Sequence, residues 1–349
     1  MNHPKRPGYP GLRHRRGRLR RTAALLWGVA LATVAAGTAR AAWEPSAPVE
    51  IVVPAGPGGG ADQMARLIQA IVTKHGLMKQ PVTVVNKAGN SGAEALLDIK
   101  ASRGNPHKLV ITLSSLFTTP LATGIAFNWR DVTPVSMMAL DQFVLWVHAD
   151  SPYKTPKDLV NAVHKQPPGS IKLGGTGSKQ EDQLISVLLE HAADGRIAYV
   201  PLSSGGDVAK ALAERQVDAT VNNPIEAESL WRAGKLRPLC VFDLVRLDFP
   251  AKLSNGVGWS DIPTCVSAGI PVHYLMLRGI FAPPGITPDQ VDYYQQLLDK
   301  VRTLPEWRDY AVRGALKPTA MSGHAFVEWL ERTESFHRML MRETKLTVK

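Results

Sequence analysis

The sequence predicts an α/β protein built from two parallel or mixed sheets, each covered by helices on both faces. Three observations carry that expectation. Short β-rich runs alternate with segments of helical apolar period along the chain. The turns that follow the strands are rich in Gly, Ser, Thr and Asn. The length of 349 residues suits two units at about 100–200 residues each. An apolar share of 44% with 20% charged residues is ordinary for a globular protein and excludes general disorder.

The first half opens with Val49–Val53 (VEIVV), a strand that enters the turn Pro54–Gly60 (PAGPGGG). Ala61–Lys74 follows, with Met64, Leu67, Ile68 and Ile71 at helical spacing. Val82–Val85 is the next strand, Asn86–Gly92 (NKAGNSG) its turn and Ala93–Ala101 its helix. Lys108–Leu113 is a strand that ends at Ser114 and Ser115. A long β-rich stretch from Val135 to Val147 is expected to pass between the two units.

The second half repeats the scheme. Thr155 and Pro156 supply an N-cap and a first-turn proline for a helix through Val163. Ile171–Leu173 leads into Gly174–Ser178 (GGTGS), and a helix runs from Glu181 to His191. Ala198–Val200 leads into Ser203–Gly206, then a helix from Val208 to Arg215. Val217–Val221 ends at Asn222, Asn223 and Pro224, with a helix to a C-capping Gly234. Leu236–Phe242 is a further strand, Thr287 and Pro288 open a long helix, and Ser322 stands where the last helix begins.

The net charge of +11 is unevenly spread. Nine basic residues and no acid occupy the first 41 positions, leaving a balance of +2 over the rest. The body of the protein therefore lacks the charge of a nucleic-acid binder. The basic stretch ending at Arg20 and Arg21 runs into apolar Ala23–Ala36 and then Ala39, Arg40 and Ala41. That order predicts a secretory signal at 1–41, cleaved after Ala41, with a soluble periplasmic product. In an oxidising compartment Cys240 and Cys265 are candidates for a disulfide. The alternative is two buried free thiols.

Glycine-rich strand-to-helix turns suit anions. Glycine allows close backbone approach, and the following helix begins with unpaired N–H groups at its positive end. Four such turns are present: Pro54–Gly60, Asn86–Gly92, Gly174–Ser178 and Ser203–Gly206. In a two-unit α/β protein the carboxyl ends of both sheets can share one crevice.

The enzyme signatures are incomplete. Gly56–Ala61 satisfies GxGxxG/A, yet the second strand ends in Asn86 and Lys87 rather than a ribose-binding acid. Ser151 and Lys154 form SxxK without an SDN or KTG partner, and no GxSxG occurs. The histidines show neither HxH nor HExxH spacing, so no metal or other cofactor is expected.

Val53–Arg66 (VPAGPGGGADQMAR), Asn86–Ala93 (NKAGNSGA), Gly174–Ser178, and Asn222, Asn223 and Pro224 followed by Arg232–Arg237 resemble the Bug family. These are periplasmic solute-binding receptors of tripartite tricarboxylate transporters. Asp261–Thr264 with Gly269, and Gly279–Pro288, are similar to the family's C-terminal segments in the same order.

The resemblance implies a two-domain periplasmic-binding-protein (Venus-flytrap) fold, with mixed sheets flanked by helices and a hinge between domains. It implies a small organic carboxylate held largely by backbone amides, delivery to membrane permease subunits, and no catalysis. Carried onto this chain, the ligand-binding residues are Pro54, Ala55, Gly56, Pro57, Gly58, Gly59, Gly60 and Asp62 from the first turn. Ser114 and Ser115, Gly175, Thr176, Gly177 and Ser178, and Asn222 and Asn223 complete the set.

Leu202 and Ser203 stand where many members carry Tyr-Lys, Gln183 where His is common, and Asn222 where Asp is frequent. Lys87, Arg66 and Lys179 are candidate ligand cations only by proximity to the loops, the alternative for each being a solvated surface charge. The expected division is residues 42–142 plus 255–349 as one domain and 143–254 as the other, in a monomer that binds no nucleic acid. The second reading is an exported hydrolase or acyltransferase with Ser151 as nucleophile.

Overall fold

The computed structural model describes residues 43–348, so the expected signal at 1–41 lies outside the described residues. Twelve strands and ten α-helices follow in order. β1 (Val49–Val53), α1 (Gly60–Lys74), β2 (Val82–Asn86), α2 (Ala93–Ala101), β3 (Lys108–Thr112), α3 (Ser115–Thr123) and β4 (Thr133–Gln142) come first. Then come β5 (Val144–His148), α4 (Pro156–Lys165), β6 (Lys172–Thr176), α5 (Glu181–Ala193), β7 (Ala198–Leu202), α6 (Gly205–Ala213), β8 (Ala219–Asn222), α7 (Pro224–Arg232) and β9 (Leu236–Val241). A small hairpin of β10 (Lys252–Ser254) and β11 (Val257–Gly258) precedes β12 (Leu275–Ala282), α8 (Pro288–Thr303), α9 (Pro305–Arg313) and α10 (Gly323–Glu343).

Two five-stranded mixed sheets organise the chain, in the orders β2-β1-β3-β12-β4 and β7-β6-β8-β5-β9. In each, three parallel strands are followed by two more, each antiparallel to the strand before it. The sheets therefore have the same plan, although the sequence contains no strict repeat. The first sheet and its helices are called lobe 1 here, and the second lobe 2.

The strand β1 is buried on both faces, as a central parallel strand requires. Val49, Ile51 and Val53 meet Met64, Ile68 and Ile71 of α1, while Val52 joins Leu96, Val110 and Phe281 on the opposite side. Each such Ile or Leu contributes about 1.5–3 kcal/mol on burial. In lobe 2 Leu173, Ala219 and Val221 pack on Leu184, Ile185 and Leu189 of α5. The helix α10 ties the lobes together. Its Phe326 and Leu330 enter the lobe 1 core, and its Leu340 and Met341 join Phe143, Leu145 and Tyr274.

The crossover anticipated within 135–147 takes place at one residue. Gln142 ends β4 opposite Leu275, Val144 begins β5 opposite Asn222 and Val241, and Phe143 stands between. The Phe242 N–H donates to the Phe143 carbonyl at 2.8 Å, and the Tyr274 N–H donates to the Phe242 carbonyl at 2.8 Å. Cys240 and Cys265 are disulfide-bonded with Cα atoms 5.0 Å apart, beside this crossing.

Several elements differ from the expected ones, among them α9 and the β10–β11 hairpin, which have no counterpart in the sequence analysis, and α6, which begins at Gly205 inside the expected turn rather than at Val208. The strand β6 runs through Gly174, Gly175 and Thr176, so the turn begins only at Gly177. Gly175 is needed for packing there, because a Cβ would lie 2.6 Å from Cβ of Asp182 and 2.7 Å from the Tyr199 oxygen. The helix α3 is absent from the reading because Thr118, Thr119 and Pro120 are poor helix formers. The strand β12 likewise has no counterpart in it, although its eight residues pair with both β3 and β4.

Candidate functional site

The carboxyl ends of the parallel strands in both sheets face one interlobe cleft, and four helices open with residues that line its cavity: α1, α5, α6 and α7. Turns at its rim meet across the gap. The Gly56 N–H donates to the Ser203 carbonyl at 3.3 Å. The Ser91 hydroxyl donates to the Ser178 carbonyl at 3.1 Å, and Gln180 Nε2 donates to the Ser91 carbonyl at 2.8 Å. A Cβ on Gly56 would fall 2.8 Å from the Ser203 carbonyl oxygen, so glycine is what permits this approach. The lobes stand closed on a cavity of about 40 Å³. That is room for a few waters at about 10–15 Å³ each.

Asp62 secures the first turn. One of its oxygens accepts the Gly58 N–H at 2.9 Å and Arg66 Nε at 3.1 Å, while the other accepts Asn86 Nδ2 at 3.0 Å. Burial raises its pKa, but the hydrogen bonds from Arg66, Gly58 and Asn86 outweigh that and hold it below the usual carboxylate range.

Carboxylates of lobe 2 reach the cavity. Glu226 of α7 crosses to lobe 1, where its Oε1 accepts the Gly60 N–H at 2.8 Å. Its Oε2 accepts Asn222 Nδ2 and the Asn223 N–H, both at 3.0 Å. The anion seat at the head of α1 thus already holds a carboxylate of the protein itself. Glu181 and Asp182, in the first turn of α5, are only 4% and 6% exposed. Burial pushes Glu181 upward, against hydrogen bonds from its own N–H and that of Ser115. Burial pushes Asp182 well up, against the Thr176 N–H that it accepts at 2.7 Å.

Arg278 of β12 is the cation among the described residues lining this cavity. It donates twice to Asp141 Oδ2, at 2.9 and 2.7 Å, and once to Asn223 Oδ1 at 3.0 Å. Burial pushes the Asp141 carboxyl up to about 6, and the Arg278 guanidinium keeps it from rising further.

The structure brings only some of the anticipated residues to the cavity. Pro54, Ala55, Gly59, Gly60, Thr176 and Asn223 line it. Pro57 and Gly58 are exposed at the outer turn, and Gly56 sits against Ser203. Asp62 is turned into its own lobe, and Ser114 and Ser115 are fully buried at the start of α3. Gly175 is packed under α5, Gly177 donates to the Leu202 carbonyl, and Ser178 bonds Ser91. Asn222 is buried and bonds Glu226 and the Gly205 carbonyl.

None of the three nominated cations lines the cavity. Lys87 pairs with Asp98, Arg66 pairs with Asp62, and Lys179 bonds Gln183 through its backbone. Glu181, Asp182, Glu226 and Arg278 line the cavity without belonging to any of the expected ligand-binding turns. Arg278 did carry a signal: a lone charge in the apolar run LMLRGIFA must be paired when buried. Ser151 accepts the Tyr153 N–H beyond the end of β5 away from the crossover, outside the cavity. Among the described residues no His, Cys, Asp and Glu group could hold a metal ion, and no helix is long and apolar enough to cross a membrane.

Two sheets of one plan, with a single-residue crossover at Phe143 and a loop-lined cavity between them, define a two-lobed fold of the Venus-flytrap type. The chain belongs to the family described as "Tripartite tricarboxylate transporter family receptor", whose profile matches residues 64–346. Its members are periplasmic solute-binding receptors, not enzymes.

The UPF0065 protein in the tcbD-tcbE intergenic region of Pseudomonas sp. (strain P51) is 27% identical over 290 residues, 81% of this chain and 82% of that one. Rpa4515 of Rhodopseudomonas palustris, solved with adipate, has a TM-score of 0.78 at 22% identity, covering 87% of this chain and 99% of that one. MatC of the same organism, solved with malate, has a TM-score of 0.73 at 21% identity, covering 85% and 99%.

Proposed function

We propose that the exported protein captures a small organic carboxylate in the interlobe cleft and delivers it to the permease subunits of a tripartite transporter. The observation that carries this is the convergence of four helix N-termini, those of α1, α5, α6 and α7, on one interlobe cavity. Such a seat suits a carboxylate without a salt bridge. The solved relatives with adipate and malate support the ligand class.

A cavity of about 40 Å³ does not accommodate a four- to six-carbon acid, so binding requires the lobes to part and close again. The contacts at Phe143, Phe242 and Tyr274 are the proposed hinge. We infer a division at Phe143 and again just before β12, which moves the second boundary from the expected 254/255 to about 274/275, because Cys265 is bridged to Cys240 and Trp259 and Ile262 pack with Trp146 and Trp231 of lobe 2. Of the residues expected from the sequence, the proposed ligand-facing set is Pro54, Ala55, Gly59, Gly60, Thr176 and Asn223. Cleavage after Ala41, periplasmic residence and a monomeric state complete the reading.

The test is a thermal-shift screen of the purified 42–349 chain against carboxylates, with recovery of each ligand afterwards. A ligand at 100 times its dissociation constant stabilises by about 2.7 kcal/mol, several degrees in melting temperature. The expected result is a shift for at least one acid, returned chemically unchanged, that survives Ser151→Ala. A chemically altered ligand, or loss of function in that variant, would favour the hydrolase reading instead.

A further inference from the structure

We propose that the lobe 2 wall of the cleft, formed by Glu181 and Asp182 of α5, is a subsite for a protonated amine. The ligand is then an amino carboxylate rather than a dicarboxylate. This rests on the receptor reading and narrows its ligand class.

Three independent features support the assignment. Glu181 is 4% exposed and lines the cavity, and its Oε1 has no hydrogen-bond partner. A buried carboxylate oxygen without a donor is costly, and the contact it lacks is an N–H or a cation. The second feature is the lack of a free countercharge. Arg278 lines the same cavity, but its guanidinium is committed to Asp141 and Asn223. The N–H groups of Ser115 and of Glu181 itself, at the positive end of α5, ease the Glu181 carboxyl, yet its Oε1 is left without a hydrogen-bond partner.

The third feature lies on the opposite side. The amide seat at Gly60 is occupied by Glu226, so the acids reaching the cavity number three against one neutralised cation. A dianion entering this space meets like charge on the lobe 2 wall, a juxtaposition that selects against it. An amine meets Glu181 and Asp182 as a charge-assisted donor. The remaining carboxylate of the ligand goes to the lobe 1 amides and displaces Glu226 as the lobes part.

The experiment compares two length-matched pairs by calorimetry near neutral pH: succinate against 4-aminobutanoate, and adipate against 6-aminohexanoate. The expected result is that the amino acid of at least one pair binds about tenfold or more tightly than its diacid. Glu181→Gln, which keeps the side-chain shape, should narrow that preference to within about threefold. Its ligand-free melting temperature should be equal or higher, because a buried negative charge is gone.

Tighter binding of the diacids, including binding with proton uptake by Glu181 and Asp182, overturns the amine subsite and leaves the receptor reading in place. Equal binding within each pair does the same. No response to any of the four, from protein with a cooperative melt, overturns the subsite and the carboxylate assignment together. The wild-type comparison decides the question even if the variant does not fold.

Discussion

Arg278 and Asp141 face each other at 2.7 Å, each side chain 1% exposed, at the centre of the closed molecule. They stand on neighbouring antiparallel strands of lobe 1, and the same guanidinium reaches Asn223 of lobe 2. The pair therefore fixes one wall of the cavity and touches the other. Removing one partner leaves a buried charge without compensation. Arg278→Met should destabilise the protein by about 3–5 kcal/mol, and adding Asp141→Asn should recover much of the loss. Urea unfolding of the two variants measures this. A single-variant loss below about 1 kcal/mol would show that water reaches Asp141.

Closure depends on the absence of a side chain at position 56. An added Cβ meets the backbone oxygen of Ser203 at 2.8 Å, and backbone atoms do not give way as a flexible side chain does. Gly56→Ala should weaken binding of a carboxylate ligand about tenfold, because each 1.4 kcal/mol placed on the closed state costs that factor. Urea unfolding should change little. Undiminished affinity would mean that this contact is not part of the bound state.

The Cys240–Cys265 bridge closes a segment of 25 residues next to the interlobe crossing. A loop of that size corresponds to about 3 kcal/mol of lost chain entropy in the unfolded state. Cys240→Ser with Cys265→Ser should lower stability by that order, and reduction of the wild type should reproduce the loss. A pair of variants as stable as the wild type would place the order of this segment in the packing around Trp231 and Trp259 instead.

His337 gives the stability a pH dependence of defined sign. Its Nδ1 donates to the Thr333 carbonyl at 2.8 Å and its Nε2 accepts the Tyr274 hydroxyl at 2.7 Å, an assignment made from the partners. Burial pushes its pKa down from 6.5 to about 4. The folded value is depressed, so this contribution is fully present above pH 6.5 and is lost as the pH falls toward 4. It amounts to about 3 kcal/mol across that window. His337→Gln should flatten the wild-type decline between those limits in urea unfolding. Parallel declines in the two proteins would assign the acid sensitivity to other groups.

The local layer of this structure was legible in the chain. The segment Ala93–Ala101 was bounded as it is observed, since Gly92 before it takes a positive φ of 81° that favours glycine. Thr155 caps α4 as its position indicated, with its hydroxyl accepting the Asp158 N–H at 3.2 Å. The crossover near 143 could be read because a β run too long for one sheet has to leave it.

The candidate site was legible only in part. Pro54, Ala55, Gly59 and Gly60 come from a turn whose glycines mark it out in the sequence, and they line the cavity. Ser114 and Ser115 stood out equally well and are buried in a helix start that Pro120 concealed.

The sequence by itself determined the alternation of strands and helices, the positions of the turns and the presence of helix N-termini suited to anions. These follow from side-chain periodicity and backbone preference, which act over a few residues. The tertiary structure alone decided what occupies those N-termini. Glu226 reaches Gly60 across 166 positions and Arg278 reaches Asp141 across 137. No local rule couples such residues. Their meeting is set by two sheets closing face to face, and burial there turns ordinary surface charges into the chemistry of the cleft.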